Sequence, residues 1–231
     1  MKNLLKLTIT LMLCTLFIQQ LSASTVKKYY SIKEFSKLKV SSAFQVEFIH
    51  SNENKVEVEI DEDDADDVFV GNADGTLTIK LKDYGNYNTS VMKATVYGNS
   101  LSGIFISGAS HFSSTHTFKE KEINIKTSGA SRVEILLETE LLDLDISGAS
   151  KLTVKGTAAK QTIDISGASN YNGKNCSSND VNIDASGASK ATLNCSNILD
   201  AEASGASHVT YLNEPKKVNK STSGASEVEA H

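Results

Sequence analysis

One tetrapeptide, Ser-Gly-Ala-Ser, occurs seven times in this chain at nearly constant spacing. The copies begin at Ser107, Ser128, Ser147, Ser166, Ser186, Ser204 and Ser223. This period of about 19 residues is too short for a repeat made of two helices, and it suits one turn of a coil with three short strands and three corners. The repeat therefore predicts a solenoid of β-strands in which each copy marks one rung.

Apolar and polar residues alternate beside each tetrapeptide. Leu142, Leu144 and Ile146 are separated by two aspartates, and the same alternation returns one period later. A period of two is typical of a strand with one buried face, so aliphatic residues should lie inside the coil and charged residues outside. The predicted fold class is all-β, a single-stranded parallel β-helix with about 19 residues per rung. Because a hexapeptide period is absent, a right-handed coil is favoured.

The tetrapeptide itself is predicted to form a corner. Glycine adopts positive φ angles that other residues reach only at a cost of about 1–2 kcal/mol. The alanine is expected where the chain bends close to the core, and the serine hydroxyls are expected to bond backbone groups at the bend. The predicted corner glycines are Gly108, Gly129, Gly148, Gly167, Gly187, Gly205 and Gly224.

The start of the chain has the order of a secretory signal peptide. A basic start is followed by an apolar run from Leu7 to Ile18, which is too short to span a membrane, and by small residues up to Ala23. We predict a signal peptide at residues 1–23 and therefore an exported protein of the periplasm, the cell surface or the medium, with no transmembrane segment in the mature chain. The net charge of −5 and the lack of a long basic run argue against nucleic acid as a partner.

The segment before the first tetrapeptide lacks the regular period. Lys39–Phe48 looks like a degraded corner with its following strand, Gly75–Ile79 looks like another, and an acidic turn or short helix lies between them at Asp61–Asp67. Because an open β end invites pairing with other chains, we interpret residues 24–103 as irregular rungs that cap the solenoid. Residues 104–231 are predicted as the regular β-helix.

These features resemble a known family. The start Phe44–Phe48, the strand Asp74–Ile79 and the repeated Ser-Gly-Ala-Ser are similar to the autotransporter adhesin head GIN domain family of exported bacterial proteins. The resemblance covers the chain from about Tyr30 to its end. It implies a β-helix at the cell envelope and supplies no catalytic residues.

Residues that often carry chemistry are better explained here by structure. Fourteen equivalent tetrapeptide serines do not resemble a nucleophile, which is a single residue beside a base and an oxyanion hole. No two histidines stand at metal-ligand spacing on a helix or beside cysteines, so all are predicted as surface residues. No catalytic, cofactor-binding or metal-binding residue is predicted. The histidines are His50, His111, His116, His208 and His231.

Cys176 and Cys195 lie one predicted rung apart in the sequence. Stacked Cα atoms about 4.8 Å apart permit a disulfide bond, and an exported protein meets oxidising conditions. Two inward-facing free thiols would have the same sequence. Both alternatives remain open at this point.

Charged residues should form columns on both sides of the corners. At about 4.8 Å, neighbouring carboxylates repel by about 0.9 kcal/mol in water, and shielding from solvent would increase this repulsion and favour a bound cation or charged ligand. The acidic column contains Asp145, Asp164, Asp184 and Glu202. The basic column contains Arg132, Lys151, Asn170, Lys190 and His208.

The predicted function is a non-enzymatic module that presents a surface for adhesion or binding at the bacterial cell envelope, with glycans or surface proteins as partners. The alternative is a polysaccharide-active lyase or hydrolase on a β-helix. Such an enzyme needs a local carboxylate cluster that interrupts the rungs, whereas the rungs from Ile104 onward are regular in sequence.

Overall fold

A computed structural model describes residues 24–82 and 89–231, so the predicted signal peptide lies outside the described residues. In the described part, sixteen strands and one 3-10 helix follow one another along the chain: β1 (Thr25–Ser31), β2 (Lys37–Val40), β3 (Gln45–His50), β4 (Lys55–Asp61), the helix (Glu62–Asp67), β5 (Val68–Ala73), β6 (Thr76–Leu81), β7 (Met92–Gly98), β8 (Gly103–Ile106), β9 (His111–Thr127), β10 (Arg132–Ile146), β11 (Lys151–Ile165), β12 (Asn170–Ala185), β13 (Lys190–Ala203), β14 (His208–Leu212), β15 (Lys217–Thr222) and β16 (Glu227–Ala230). No helix in these ranges is long and apolar enough to cross a membrane.

From β9 onward the chain forms a parallel β-solenoid. Strands β9 to β13 each pair in parallel with the next, and β13 pairs with β14 in one part of the rung and with β15 in the other. Equivalent residues of successive rungs lie side by side, as Leu144 does with Ile163 and Ile163 with Ile183. These findings confirm the predicted parallel β-solenoid with about 19 residues per rung.

Aliphatic side chains fill the interior of the coil. Leu144, Ile163 and Ile183 are each at most 2% exposed, whereas the aspartates between them in sequence face solvent. Burying an aliphatic side chain of this size contributes about 1.5–3 kcal/mol. The stack of aliphatic residues is therefore the main source of stability, and the outward residues are left available for other roles.

The first rung of the chain is inserted between two later rungs, near the N-terminal end of the stack. Strand β2 lies in parallel between β6 and β8, and β3 lies in parallel between β7 and β9. The rung formed by β2 and β3 thus separates the later rung of β6 and β7 from the regular solenoid. Sequence order and stacking order differ in this part of the protein.

The degraded corner predicted within Lys39–Phe48 is present in the inserted rung. Ser42, with a φ of 67°, stands beside Gly108 in the place of a corner glycine. The prediction of a second degraded corner at Gly75–Ile79 was wrong. Asp74 and Gly75 have φ angles of 50° and 72° and form the two-residue turn of the antiparallel hairpin between β5 and β6. Two consecutive positive φ angles are the requirement of the turn type that joins such strands.

The two ends of the stack are covered differently. At the N-terminal end, β1, β4 and β7 pair antiparallel, and Lys28 of β1 binds the 3-10 helix through the carbonyl of Ala65 at 2.6 Å and the carboxylate of Asp66 at 2.9 Å. At the other end, Lys220 occupies an inward position, and its ammonium donates to the carbonyl of Val228 at 3.1 Å. A charged side chain over an open β end discourages pairing with other chains.

The residue buried at the corners is the last serine and not the alanine that the sequence led us to expect. Ala149 and Ala168 are exposed, whereas Ser150 and Ser169 are each only 1% exposed. The prediction that the alanine packs close to the core was therefore wrong. At some corners this inward hydroxyl donates to a carbonyl of the same corner, as Ser131 does to Ser128 at 2.7 Å and Ser207 does to Ser204 at 2.8 Å. The buried hydroxyls of Ser110 and Ser150 have no partner among the described residues.

Candidate functional site

The acidic column is a real row of stacked carboxylates on an outward face. Asp145 lies beside Asp164, Asp164 beside Asp184, and Asp184 beside Glu202. All four residues are exposed to solvent. Because water screens each pair to about 0.9 kcal/mol, the column needs no bound cation to be tolerated.

Charge compensation is uneven along this column. The ammonium of Lys126 lies 3.5 Å from the carboxylate of Asp145 at one end. In the middle, partial burial raises the pKa of the Asp164 carboxyl, and the charges of Asp145 and Asp184 raise it further. Asp164 is thus the member whose negative charge is least favourable.

We expect Asp164→Asn to raise the melting temperature slightly at neutral pH and low salt, because a neutral amide removes repulsion from both neighbours. The raised pKa means that the folded protein binds this proton more tightly, so wild-type stability falls as pH rises from the ordinary value of 3.8 through the folded value. The advantage of the variant should be absent below pH 3.8, develop through that window and shrink in high salt. Thermal melts across pH and salt measure it.

Asp143→Asn is the matched control. Asp143 is also exposed, but it accepts a hydrogen bond from the amide of Asn124 at 2.7 Å and lies beside Thr162. Removing its charge relieves no stacked carboxylate and should give no stabilisation. The same gain in both variants would show that general charge reduction, and not stacking, is responsible.

The basic column lies on the other side of the corners. Arg132 is beside Lys151, Lys151 beside Asn170, Asn170 beside Lys190, and Lys190 beside His208. The exposed Gly-Ala pairs of the tetrapeptides separate the two columns. The solenoid therefore presents faces of opposite charge along one edge.

A shallow groove lies where the acidic column reaches the inserted rung. Its volume is about 470 Å³, and Lys39, Phe105 and Lys126 line it together with the first serines of three corners. Lys39, Phe105 and Lys126 occupy consecutive rungs, and Asp145 follows them in the same column. Sequence reasoning missed this group because Lys39 arrives from the inserted rung, several periods before Phe105 in the chain.

Cys176 and Cys195 are buried free thiols, so the structure contains no disulfide bond between them. They do not stack, because Cys195 lies beside Ser178 whereas Cys176 lies beside Gly156. The two rungs involved differ slightly in length, and the register between them shifts to absorb the difference. Burial raises the pKa of the Cys176 thiol to about 11, which keeps it protonated and unreactive.

A buried polar network surrounds Cys176. The hydroxyl of Tyr171 donates to Oε1 of Gln161 at 2.7 Å. Nε2 of Gln161 donates to the hydroxyl of Ser178 in a short hydrogen bond, and it contacts Sγ of Cys176 at 3.5 Å. All four residues are buried, so this network has a structural role.

Two histidines meet at the inserted rung. The rings of His50 and His116 stack with centroids 4.3 Å apart, and His116 contacts the ring of Phe118 edge-on. His50 is exposed and His116 half-buried. Partial burial lowers the pKa of His116, and the nearby charges of His50 and Lys119 lower it further. Stacked in parallel, the two rings cannot both point a nitrogen at one metal ion.

Solved structures share this fold. A putative adhesin from Bacteroides fragilis matches with a TM-score of 0.86 and 20% identity over 91% of this chain and 98% of its own. A putative adhesin from Parabacteroides merdae matches with a TM-score of 0.75 and 18% identity over 91% and 97% of the two chains. A putative lipid binding protein from Parabacteroides distasonis matches with a TM-score of 0.72 and 18% identity over 91% and 98%.

Sequence comparison addresses the family directly. A search of curated proteins finds no match. The family model described as putative auto-transporter adhesin, head GIN domain, matches residues 34–215, which is well over half of the chain. This range contains the inserted rung, the hairpin and six of the seven corners that carried the resemblance. The chain belongs to the putative auto-transporter adhesin head GIN domain family.

Proposed function

We propose that this protein is an exported, non-enzymatic binding module of the bacterial cell envelope, and that the groove at Lys39, Phe105 and Lys126 binds glycans. Membership of an adhesin-like family and the adhesin names of its structural neighbours support a binding role. The basic, apolar and small-residue order of residues 1–23 supports export.

The observation that carries the proposal is an aromatic ring between two ammonium groups on a rigid face. Phe105 is half-buried and leans over Gly103, where a Cβ atom would come within 3.2 Å of the ring. An aromatic face packs on the C–H groups of a sugar ring, and ammonium groups bind its hydroxyls and carboxylates. Three rungs span about 10 Å, which suits two sugar residues.

The charges of the groove favour a sugar that carries a carboxylate. Lys39 is exposed and has no ion pair with any residue that the structure describes. The pair between Lys126 and Asp145 is half exposed at 3.5 Å, so it is weak and a ligand can displace it. The groove therefore offers two positive charges, one of them partly offset by the Asp145 carboxylate that also lines it, on a chain whose net charge is −5.

Glycan-array screening of the purified protein, followed by titration of the best ligand, tests this proposal. We expect acidic glycans to bind, and Phe105→Ala combined with Lys39→Ala to weaken binding at least tenfold. Lys151→Ala, which removes an exposed lysine of the basic column, is the control and should have little effect. Unchanged binding by the double variant would place the ligand elsewhere.

The same samples separate binding from catalysis. The bound glycan should keep its chain length after long incubation, as measured by mass spectrometry. Shorter products that disappear in a groove variant would replace this proposal with the polysaccharide-active enzyme.

A further inference from the structure

We infer that His208, Glu227 and Glu229 form a binding site for a transition-metal dication of the zinc type on the last two rungs. Nδ1 of His208 lies 3.5 Å from a carboxylate oxygen of Glu227, and its Nε2 lies 3.0 Å from an oxygen of Glu229. One ligand atom from each residue lies within 4.8 Å of the other two. Within residues 24–82 and 89–231, no other three histidine, cysteine, aspartate or glutamate side chains bring their ligand atoms this close together.

The solenoid geometry creates this arrangement. Strands β14 and β16 pair in parallel with His208 beside Glu227 and Thr210 beside Glu229. Neighbouring rungs are about 4.8 Å apart, and alternate residues of a strand point to the same face. Two outward positions of β16 and one of β14 therefore converge on one point.

The charge balance at this point favours a dication. Two carboxylates face one imidazole, and a protonated imidazole would offset only one of them. In the described part of the chain, neither glutamate forms an ion pair with any residue except His208. Lys190, the next residue in the column, lies one rung further away. A dication would offset both carboxylates and bind the neutral imidazole.

The ligand set and its exposure indicate the type of metal. Imidazole nitrogen with carboxylate oxygens suits zinc and its transition-metal neighbours, whereas calcium and magnesium prefer oxygen alone. The two glutamates face different ring nitrogens of His208, and only one of these nitrogens can bind the metal. The glutamate at the other nitrogen therefore has to change its side-chain torsions. The side chains are 37%, 61% and 46% exposed, which leaves room for that change and for water ligands.

Such a site would hold the last strand in place. Among the strands that the structure describes, β16 pairs with β14 alone, and the metal would join the two through their side chains. A ligand that binds only the folded rung stabilises it by mass action. Zinc should therefore slow hydrogen exchange in β14 and β16 more than in the centre of the stack.

Calorimetric titration of chelator-treated full-length protein with zinc chloride, with calcium chloride for comparison, tests the site. We expect one zinc ion per chain with micromolar affinity and at least tenfold weaker binding of calcium. His208→Ala and the isosteric Glu229→Gln should each weaken zinc binding at least tenfold, and zinc should no longer protect β16 from exchange.

His111→Ala is the control, because His111 lies in the same outward column as His208 but several rungs away, beside Arg132. It should bind zinc like the wild type. His50→Ala should also keep the site, which separates it from the stacked histidines. Zinc binding that survives unchanged in both His208→Ala and Glu229→Gln, or no zinc binding up to millimolar concentration, would overturn the inference.

Discussion

Gly167→Val should lower the melting temperature far more than Gly224→Val. Gly167 has a φ of 72°, which alone costs a non-glycine residue about 1–2 kcal/mol. A Cβ atom there would also lie 2.4 Å from the carbonyl oxygen of Gly148 in the neighbouring rung. Because the packed rungs on both sides cannot move apart freely, we expect a loss of several kcal/mol, or about 10 °C or more.

Gly224 has nearly the same φ angle but a different position in the stack. Its corner is the last one, and a Cβ atom there would lie 2.7 Å from the carbonyl of Gly205. A terminal rung has one neighbour and can move away from the contact at lower cost. The loss for Gly224→Val should therefore be a small part of that for Gly167→Val.

Gly75→Ala isolates the cost of the backbone conformation. Gly75 also has a φ of 72°, but a Cβ atom there would meet only the Ser36 hydroxyl at 3.9 Å. Its loss should stay near about 1–2 kcal/mol. Thermal and urea unfolding of Gly75→Ala, Gly167→Ala and both valine variants would separate strain from crowding, and equal losses at Gly167 and Gly224 would contradict stacked corners.

Gln161→Leu should destabilise the protein by about 3 kcal/mol even though it makes the core more apolar. Leu142 and Val181 are the neighbours of Gln161 in its column, so leucine suits the position by shape. The substitution leaves the buried hydroxyls of Tyr171 and Ser178 without their hydrogen-bond partner. Each unsatisfied buried group costs about 1–3 kcal/mol.

A compensating variant tests this explanation. Gln161→Leu combined with Tyr171→Phe and Ser178→Ala removes the two buried hydroxyls that lost their partner, and most of the stability should return. Urea unfolding of the single and triple variants measures the difference. If Gln161→Leu were as stable as the wild type, the network would contribute nothing to the fold.

The regular half of the fold could be predicted from the period alone. In a parallel stack, residues one rung apart lie side by side, so the offset of one period between Asp145 and Asp164 is enough to place them together. The same rule applied to His208 and Glu227, which are also one period apart, would have indicated the proposed metal site. This site was missed from the sequence because only the spacings of metal ligands on a helix or beside cysteines were considered, and not residues one rung apart.

The other features depend on contacts that no local pattern encodes. The inserted rung requires β2 to pair with both β6 and β8, and hence Lys39 to lie beside Phe105. Small differences in rung length are absorbed by register shifts, which separated Cys176 from Cys195. The inward direction of the last corner serine, which lets Ser131 and Ser207 donate to carbonyls of their own corners, becomes visible only when the bend has been built.

The groove exists only if the first rung of the chain is inserted where the structure has it, and distances measured by double electron–electron resonance test that order. Gln45, Lys93 and Lys190 are exposed members of one column, in which Gln45 lies between Lys93 and His111. Spin labels can be attached at these positions after substitution by cysteine, because Cys176 and Cys195 are buried.

At about 4.8 Å per rung, Gln45 and Lys190 should be five rungs or about 24 Å apart, and Lys93 and Lys190 six rungs or about 29 Å. We predict narrow distance distributions in which the Gln45 pair is the shorter by one rung. A longer distance for the Gln45 pair than for the Lys93 pair would mean that the rungs stack in sequence order, and it would contradict the structure on which the binding groove depends.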